Sequence, residues 1–160
     1  MTTPLSPSLV IYLMDNGYRQ VDIAREYGVS RQYIHRLAKD AGYISPTTTV
    51  LENLPWDVDP EFARNSTFIA FRLVGHNAVA PGKLTLESQE RANGLIRRLR
   101  QYDTVVDYNP SYPPVVGLTS LPGFAYLRRT EEDEDFIMKI RPGVRITPLG
   151  DKIWRLPPEE

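Results

Sequence analysis

The chain has 160 residues, with 19 Lys+Arg against 20 Asp+Glu, a formal net charge of −1 and 41% hydrophobic residues. This length holds one domain or two small ones, and the composition suits packed structure rather than wholesale disorder. Cysteine is absent and only His35 and His76 are present. A disulfide framework, a thiol nucleophile and any Cys-containing metal site are therefore excluded, and neither a His-rich metal centre nor a cofactor is expected. Near-neutrality weighs, on its face, against a nucleic-acid binder.

The first apolar run, Leu9–Met14, has no basic residue before it and is too short for an export signal. The longest uncharged stretch, Tyr108–Leu127, is broken by Pro110, Pro113, Pro114, Gly117, Pro122 and Gly123, which reads as loops and short strands. No membrane segment is expected, and the predicted location is the cytoplasm.

Helices are predicted from Ser8 to Asn16 and, after Gly17, within Arg19–Lys39. In this second region Ala24 is small enough for two helices to cross closely. Gly28, four residues on, suits a left-handed helix end, Val29 a corner, and Ser30 the N-cap of a following helix closed by Ala41-Gly42. Ile34 and Leu37 face back onto Ile23 and Ala24. Val21 is expected to extend that core, and Leu9, Ile11, Leu13 and Met14 to form its third wall. This is the spacing of a helix-turn-helix; an ordinary three-helix bundle is the plainer alternative.

With Ile34 and Leu37 inward, Arg31, Gln32, Tyr33 and Arg36 turn outward, together with Ser30 at the helix start. Arg pairs with guanine O6 and N7, and Gln with adenine N6 and N7. Arg19, Gln20 and Lys39 are placed for DNA-backbone contacts, whereas His35 reads equally well as a surface residue.

From Ser45 to Pro60 the text turns to Pro, Thr and Asp. Residues 46–63 read as a linker between a domain at 1–45 and another at 64–160. At most a short helical turn follows Thr49, with Thr49 and Glu52 as a capping box. Stretched out, roughly fifteen residues would reach about 50 Å. Ser66–Ala80 is predicted as a buried helix and Glu87–Tyr102 as an amphipathic one, with Ala92, Leu95, Ile96 and Leu99 on one stripe. Thr104–Tyr108 and Phe124–Leu127 read as strands. Thr130 with the acids after it reads as a helix start, and Thr147-Pro148 opens a last short helix ending near Trp154. The predicted fold class is mainly α with a small β component: a three-helix helix-turn-helix domain joined to a small α+β domain.

The neutral total hides a segregated charge pattern. Residues 64–102 carry seven basic residues against two acidic ones, net +5, between an acidic segment at 47–63 and the run Glu131–Asp135. Arg91, Arg97, Arg98 and Arg100 read either as a solvated helix face or as phosphate contacts, joined by Arg64 and Lys83. Asn65, Ser66 and Thr67 either cap a helix or meet a phosphate at its N-terminus. The acidic run reads as a solvated helix start, with contact to RNA polymerase as the sharper alternative. Trp56 and Trp154 are expected in the core.

Three sets of residues carry a more specific likeness: Ala24-Arg25-Glu26-Tyr27-Gly28-Val29-Ser30-Arg31-Gln32; Thr49-Val50-Leu51-Glu52-Asn53-Leu54-Pro55-Trp56-Asp57; and Gly123-Phe124-Ala125-Tyr126 with Ile153-Trp154-Arg155. In these the chain resembles the immunity repressors of temperate mycobacteriophages of the L and Bxb types. The resemblance implies a repressor that maintains lysogeny and superinfection immunity. It also implies binding as a monomer to double-stranded DNA, at an operator and at scattered asymmetric stoperator sites, with the C-terminal region as a second DNA-contacting module.

No phosphate loop, dinucleotide fingerprint or nucleophile elbow is present, so an enzyme is not expected. A ligand-responsive regulator, or an adaptor whose C-terminal half binds an effector or a protein partner, stays open. A well-formed apolar pocket would favour the former.

Overall fold

The computed structural model describes residues 4–119 and 121–159. The chain divides into two compact units, 1–45 and 46–160. Among the described residues there are seven α-helices and one two-stranded antiparallel sheet, a mainly α fold with a small β component.

In the first unit the helices are α1 (Pro7–Asp15), α2 (Gln20–Tyr27) and α3 (Arg31–Asp40). Ser6 caps α1 by accepting from the Leu9 amide at 3.2 Å, and Pro7 sits at the first turn, where no N–H partner is needed. Tyr27 ends α2 because Gly28 turns left-handed at φ 67°. Nothing lies within 4 Å of a Cβ built on Gly28, so backbone strain alone resists a side chain there. Gly28→Ala is expected to cost about 1 kcal/mol in thermal or urea unfolding of this unit.

The core of this unit is Val10, Ile23, Ala24, Ile34 and Ala38, with Leu37, Val29 and Tyr27 partly buried around it. Two expectations need correction. The fully buried residue of α1 is Val10, and Leu9 is outside the cluster. Val21 is 38% exposed, because two residues along a helix turn it about 200° away from Ile23.

The second unit begins with the segment read as a linker, and that reading is overturned. Residues Pro46–Glu52 form α4, which starts three residues before the predicted capping box at Thr49. Val50, Leu54, Trp56 and Phe62 are buried in the core of the second unit. The Pro and Asp residues resemble a tether, but the apolar residues between them are needed to complete that core. The segment therefore has no free 50 Å reach.

Two long helices follow, α5 (Ser66–Val79) and α6 (Leu86–Tyr102). The predicted stripe of α6 is buried as expected. Strands β1 (Thr104–Tyr108) and β2 (Phe124–Arg128) pair antiparallel, Val106 opposite Tyr126 and Tyr108 opposite Phe124. On its other side β1 meets residues 136–139: the Val106 amide donates to the Ile137 carbonyl at 2.9 Å, and the Lys139 amide to the Val106 carbonyl at 2.8 Å. The last helix, α7 (Gly150–Ile153), brings in Trp154.

Trp154 is fully buried and stacks on Phe71 with centroids 4.4 Å apart. Its Nε1 donates to the Asn53 carbonyl at 2.8 Å. The indole lies over α5 at Gly75, where an added Cβ would stand 2.4 Å from its Cη2. Phe62 presses in the same way on Gly123, which also has a positive φ of 109°.

The acidic run is not simply a solvated helix start. Asp133 is completely buried. Its carboxylate accepts from the amides of Thr130 at 2.8 Å and Ile140 at 2.9 Å, and from Lys139 Nζ at 3.0 Å. Burial disfavours the charged form, but these donors outweigh it and hold the carboxyl below its ordinary value. A depressed native value means that stability is present above the unfolded value of about 3.9 and is lost as pH falls through the native one. Asp133→Asn is expected to cost about 1.5–3 kcal/mol at pH 7. It is also expected to flatten the acid limb of a denaturation-versus-pH curve below about pH 4.

Candidate nucleic-acid interface

Helix α3 packs on both α1 and α2, and that packing decides which side chains it shows to solvent. Ile34 and Ala38 are fully buried, so Arg31, Gln32, Tyr33, His35, Arg36 and Lys39 are left exposed. Ser30 holds the start of the helix, its Oγ accepting from the Tyr33 amide at 3.1 Å. Among the described residues no ion pair engages Arg31, Arg36 or Lys39 (Arg19, just before α2, and Arg25, on it, are paired with Asp22). The exposed face of α3 is thus a row of uncommitted donors about 15 Å long, which suits a major groove about 12 Å wide.

The residues expected at the DNA backbone differ from one another. Lys39 is exposed and free among the described residues. Arg19 reaches Asp22 through Nε at 2.9 Å and Nη2 at 3.1 Å, while Asp22 also accepts the Arg19 amide. The hydrogen bond from Arg19 holds the Asp22 carboxyl below its ordinary value. Arg19 therefore secures the start of α2 and remains exposed beside it. Gln20 is half-buried, with Nε2 3.9 Å from the Met14 sulfur.

In the second unit the structure sorts the basic block. Asn65 and Thr67 are buried and are removed from the DNA surface. Asn65 Oδ1 accepts from the Thr67 and Phe68 amides, and its Nδ2 donates to the carbonyls of Leu121 and Pro122. Thr67 Oγ1 pairs with the Tyr126 hydroxyl at 2.8 Å. Arg100 binds the Pro157 carbonyl and lies 3.6 Å from Glu159, so it ties down the C-terminal segment.

Arg91 pairs with Glu87 one turn earlier, and Arg98 donates to the Tyr126 hydroxyl at 3.1 Å. Both remain on one groove of about 460 Å³ that Ser66 and Leu118 also line. Arg64, Lys83 and Arg97 are exposed, with no ion pair among the described residues. Arg128, at the end of β2, is exposed in the same way. The sequence pattern does not mark it, because a basic residue ending a strand carries no periodic signal.

Both tryptophans and part of the acidic run are structural. Trp56 and Trp154 are both core residues. Glu134 and Asp135 hold Arg155, whose guanidinium covers the Phe136 ring at 3.6 Å. Among the described residues no group of His, Asp and Glu is placed to hold a metal, and no helix is long and apolar enough to cross a membrane.

No family model matches the chain. It is similar to the repressor-like immunity protein of Mycobacterium phage L5, with 28% identity over 158 residues, which is 96% of this chain and 85% of that protein. The likeness runs through both units and supports a phage immunity repressor-like family as the setting of the exposed helix α3.

Proposed function

We propose that the chain is a sequence-specific DNA-binding repressor of phage type. In this reading it binds operator and stoperator sites in the host cytoplasm and so maintains lysogeny and immunity. Its α3 lies in the major groove. The observation that carries the reading is the exposed, uncommitted row Arg31, Gln32, Tyr33, Arg36 and Lys39 on a helix capped by Ser30. Arg31 and Gln32, in the first turn, read base edges, while Ser30 and Lys39 meet phosphates.

The second unit adds phosphate contacts through Arg64, Lys83, Arg91, Arg97 and Arg98. A single small module buries only about 600–1,000 Å² on DNA, and a second module in the same chain supplies the remainder without a dimer. The protein therefore acts as a monomer on asymmetric sites.

Measuring Arg31→Ala and Gln32→Ala against an operator and its single-base variants tests the reading. Each substitution is expected to cost about 1–3 kcal/mol on the operator and to relax preference at one base pair. Equal weakening on every sequence would reject base reading by α3.

A further inference from the structure

Strand β2 pairs with β1 on one side only. In an antiparallel pair, opposite residues exchange hydrogen bonds at every second position. Here the exchanging positions are odd-numbered. The Asn109 amide donates to the Gly123 carbonyl at 3.0 Å and the Arg129 amide to the Asp103 carbonyl at 2.9 Å, both in the β1–β2 register. Ala125 and Leu127 therefore turn their backbone groups to β1, and Phe124, Tyr126 and Arg128 turn theirs away. Strand β1 has the same parity, since Val106 uses its amide and carbonyl on residues 137 and 139. For β2 there is no such second neighbour. Among the described residues, no hydrogen bond engages the backbone amide or carbonyl of Tyr126 or Arg128. Phe124 is fully buried, whereas Tyr126 is half-buried and Arg128 exposed. The open edge is thus two donors and two acceptors over about 7 Å.

An unpaired edge is a template for another strand unless something covers it. Ala125 and Tyr126 line an open groove of about 600 Å³, together with Arg98 and Tyr102 from α6 and Val116 and Leu118 from the loop before β2. Val116 is 98% exposed and Tyr102 65%, so the groove presents apolar surface to solvent. The loop is preformed: Ser66 Oγ donates to the Leu118 carbonyl at 3.1 Å, and the Leu118 amide to the Val115 carbonyl at 3.0 Å. The charge beside the edge is positive. Arg98 donates to the Tyr126 hydroxyl at 3.1 Å and has no ion pair among the described residues. Arg128, two residues along the strand, shares a face with Tyr126 and is equally free of ion pairs. Asp103, at the same end of the sheet, is held by Arg129 at 3.6 Å.

We propose that β2 is a docking edge for an extended acidic segment of a partner protein, which adds to the sheet as a further strand. The segment's backbone pairs with Tyr126 and Arg128. Its acidic side chains meet Arg98 and Arg128, and an apolar side chain between them lies against Val116 and Leu118. The edge sets the class, because alternating N–H and C=O groups match a peptide backbone and not a phosphodiester, which has no donor. The cations set the sign. They also oppose a second copy of this chain: pairing two β2 edges would bring Arg98 and Arg128 of both copies together, and like charges across a ladder destabilise it.

The test titrates the full-length protein with the peptide acetyl-Glu-Val-Glu-Val-Glu-amide and follows hydrogen exchange of individual backbone amides. In the free protein the Tyr126 and Arg128 amides are expected to exchange at least tenfold faster than those of Ala125 and Leu127. The peptide is expected to bind saturably and to slow both. Methylating its alternate amide nitrogens keeps every side chain but removes the donors, and is expected to weaken binding at least tenfold. Replacing its glutamates by lysines is expected to do the same. Arg128 is exposed, so Arg128→Glu leaves the fold intact; it is expected to lose at least tenfold in affinity for the acidic peptide and to gain affinity for the lysine one. Equal binding of the parent and methylated peptides would overturn the proposal, as would Tyr126 and Arg128 amides as protected in the free protein as their neighbours. Protection of these amides by duplex DNA but not by the peptide, or by concentration-dependent self-association, would overturn it too.

Discussion

Replacing Trp154 by alanine is expected to destabilise the second unit by about 3–5 kcal/mol. The side chain is fully buried, stacks on Phe71, and closes a hydrogen bond across 101 residues of sequence to the Asn53 carbonyl. Its loss removes a large apolar surface and leaves that carbonyl without this donor. Trp56 is then the only tryptophan, buried in the same core, and its fluorescence reports the unfolding midpoint directly. A companion substitution isolates the packing. Gly75→Ala gains helix propensity of about 1 kcal/mol but drives a Cβ into the indole, an overpacking cost of about 1–3 kcal/mol. It is expected to destabilise the natural protein and to be neutral or stabilising in the Trp154→Ala background. Additive effects in the double mutant would show that the indole does not impose the glycine.

A fragment ending at Ser45 is expected to bind operator DNA about 10²–10⁴-fold more weakly than the full chain, the range that tethering a second module supplies. Its salt dependence is expected to be shallower, by about 0.9 in slope for each phosphate that the second unit no longer neutralises. Circular dichroism of the fragment checks that α1–α3 persist. An unchanged slope would make the second unit a bystander on DNA, whatever its fold. Near-neutral net charge does not oppose the proposal, because the charge is segregated. The exposed cations on α3 and α6 are distinct from the acids that hold Arg145 and Arg155 in the second unit.

The sequence signatures that carry the family resemblance turn out to be mostly scaffold. In the second, Val50, Leu54 and Trp56 are core, Asn53 accepts the Trp154 indole, and Asp57 pairs with Arg145. In the third, Gly123 makes room for Phe62, Phe124 is fully buried, and Tyr126 binds both Thr67 and Arg98. Such residues occur together because they form one core, and they say nothing directly of which side chain meets a ligand.

Local physics makes the first unit legible from the sequence. Its helix ends depend on near neighbours: Ser6 and Ser30 as caps, Gly28 as the left-handed stop, and a 3.6-residue stripe that turns Ile34 inward and Arg31, Gln32 and Arg36 outward. The apolar run of α5, the stripe of α6 and the two strands are readable for the same reason. The fate of 46–63 is not, because Val50, Leu54, Trp56 and Phe62 find their partners in α5, β1, β2 and around α7, far along the chain. Nor is the sorting of the basic block. Arg97 differs from Arg100 only in what folds against it. Sequence determined which basic and polar side chains the chain can offer, and long-range packing decided which of them remained at the surface.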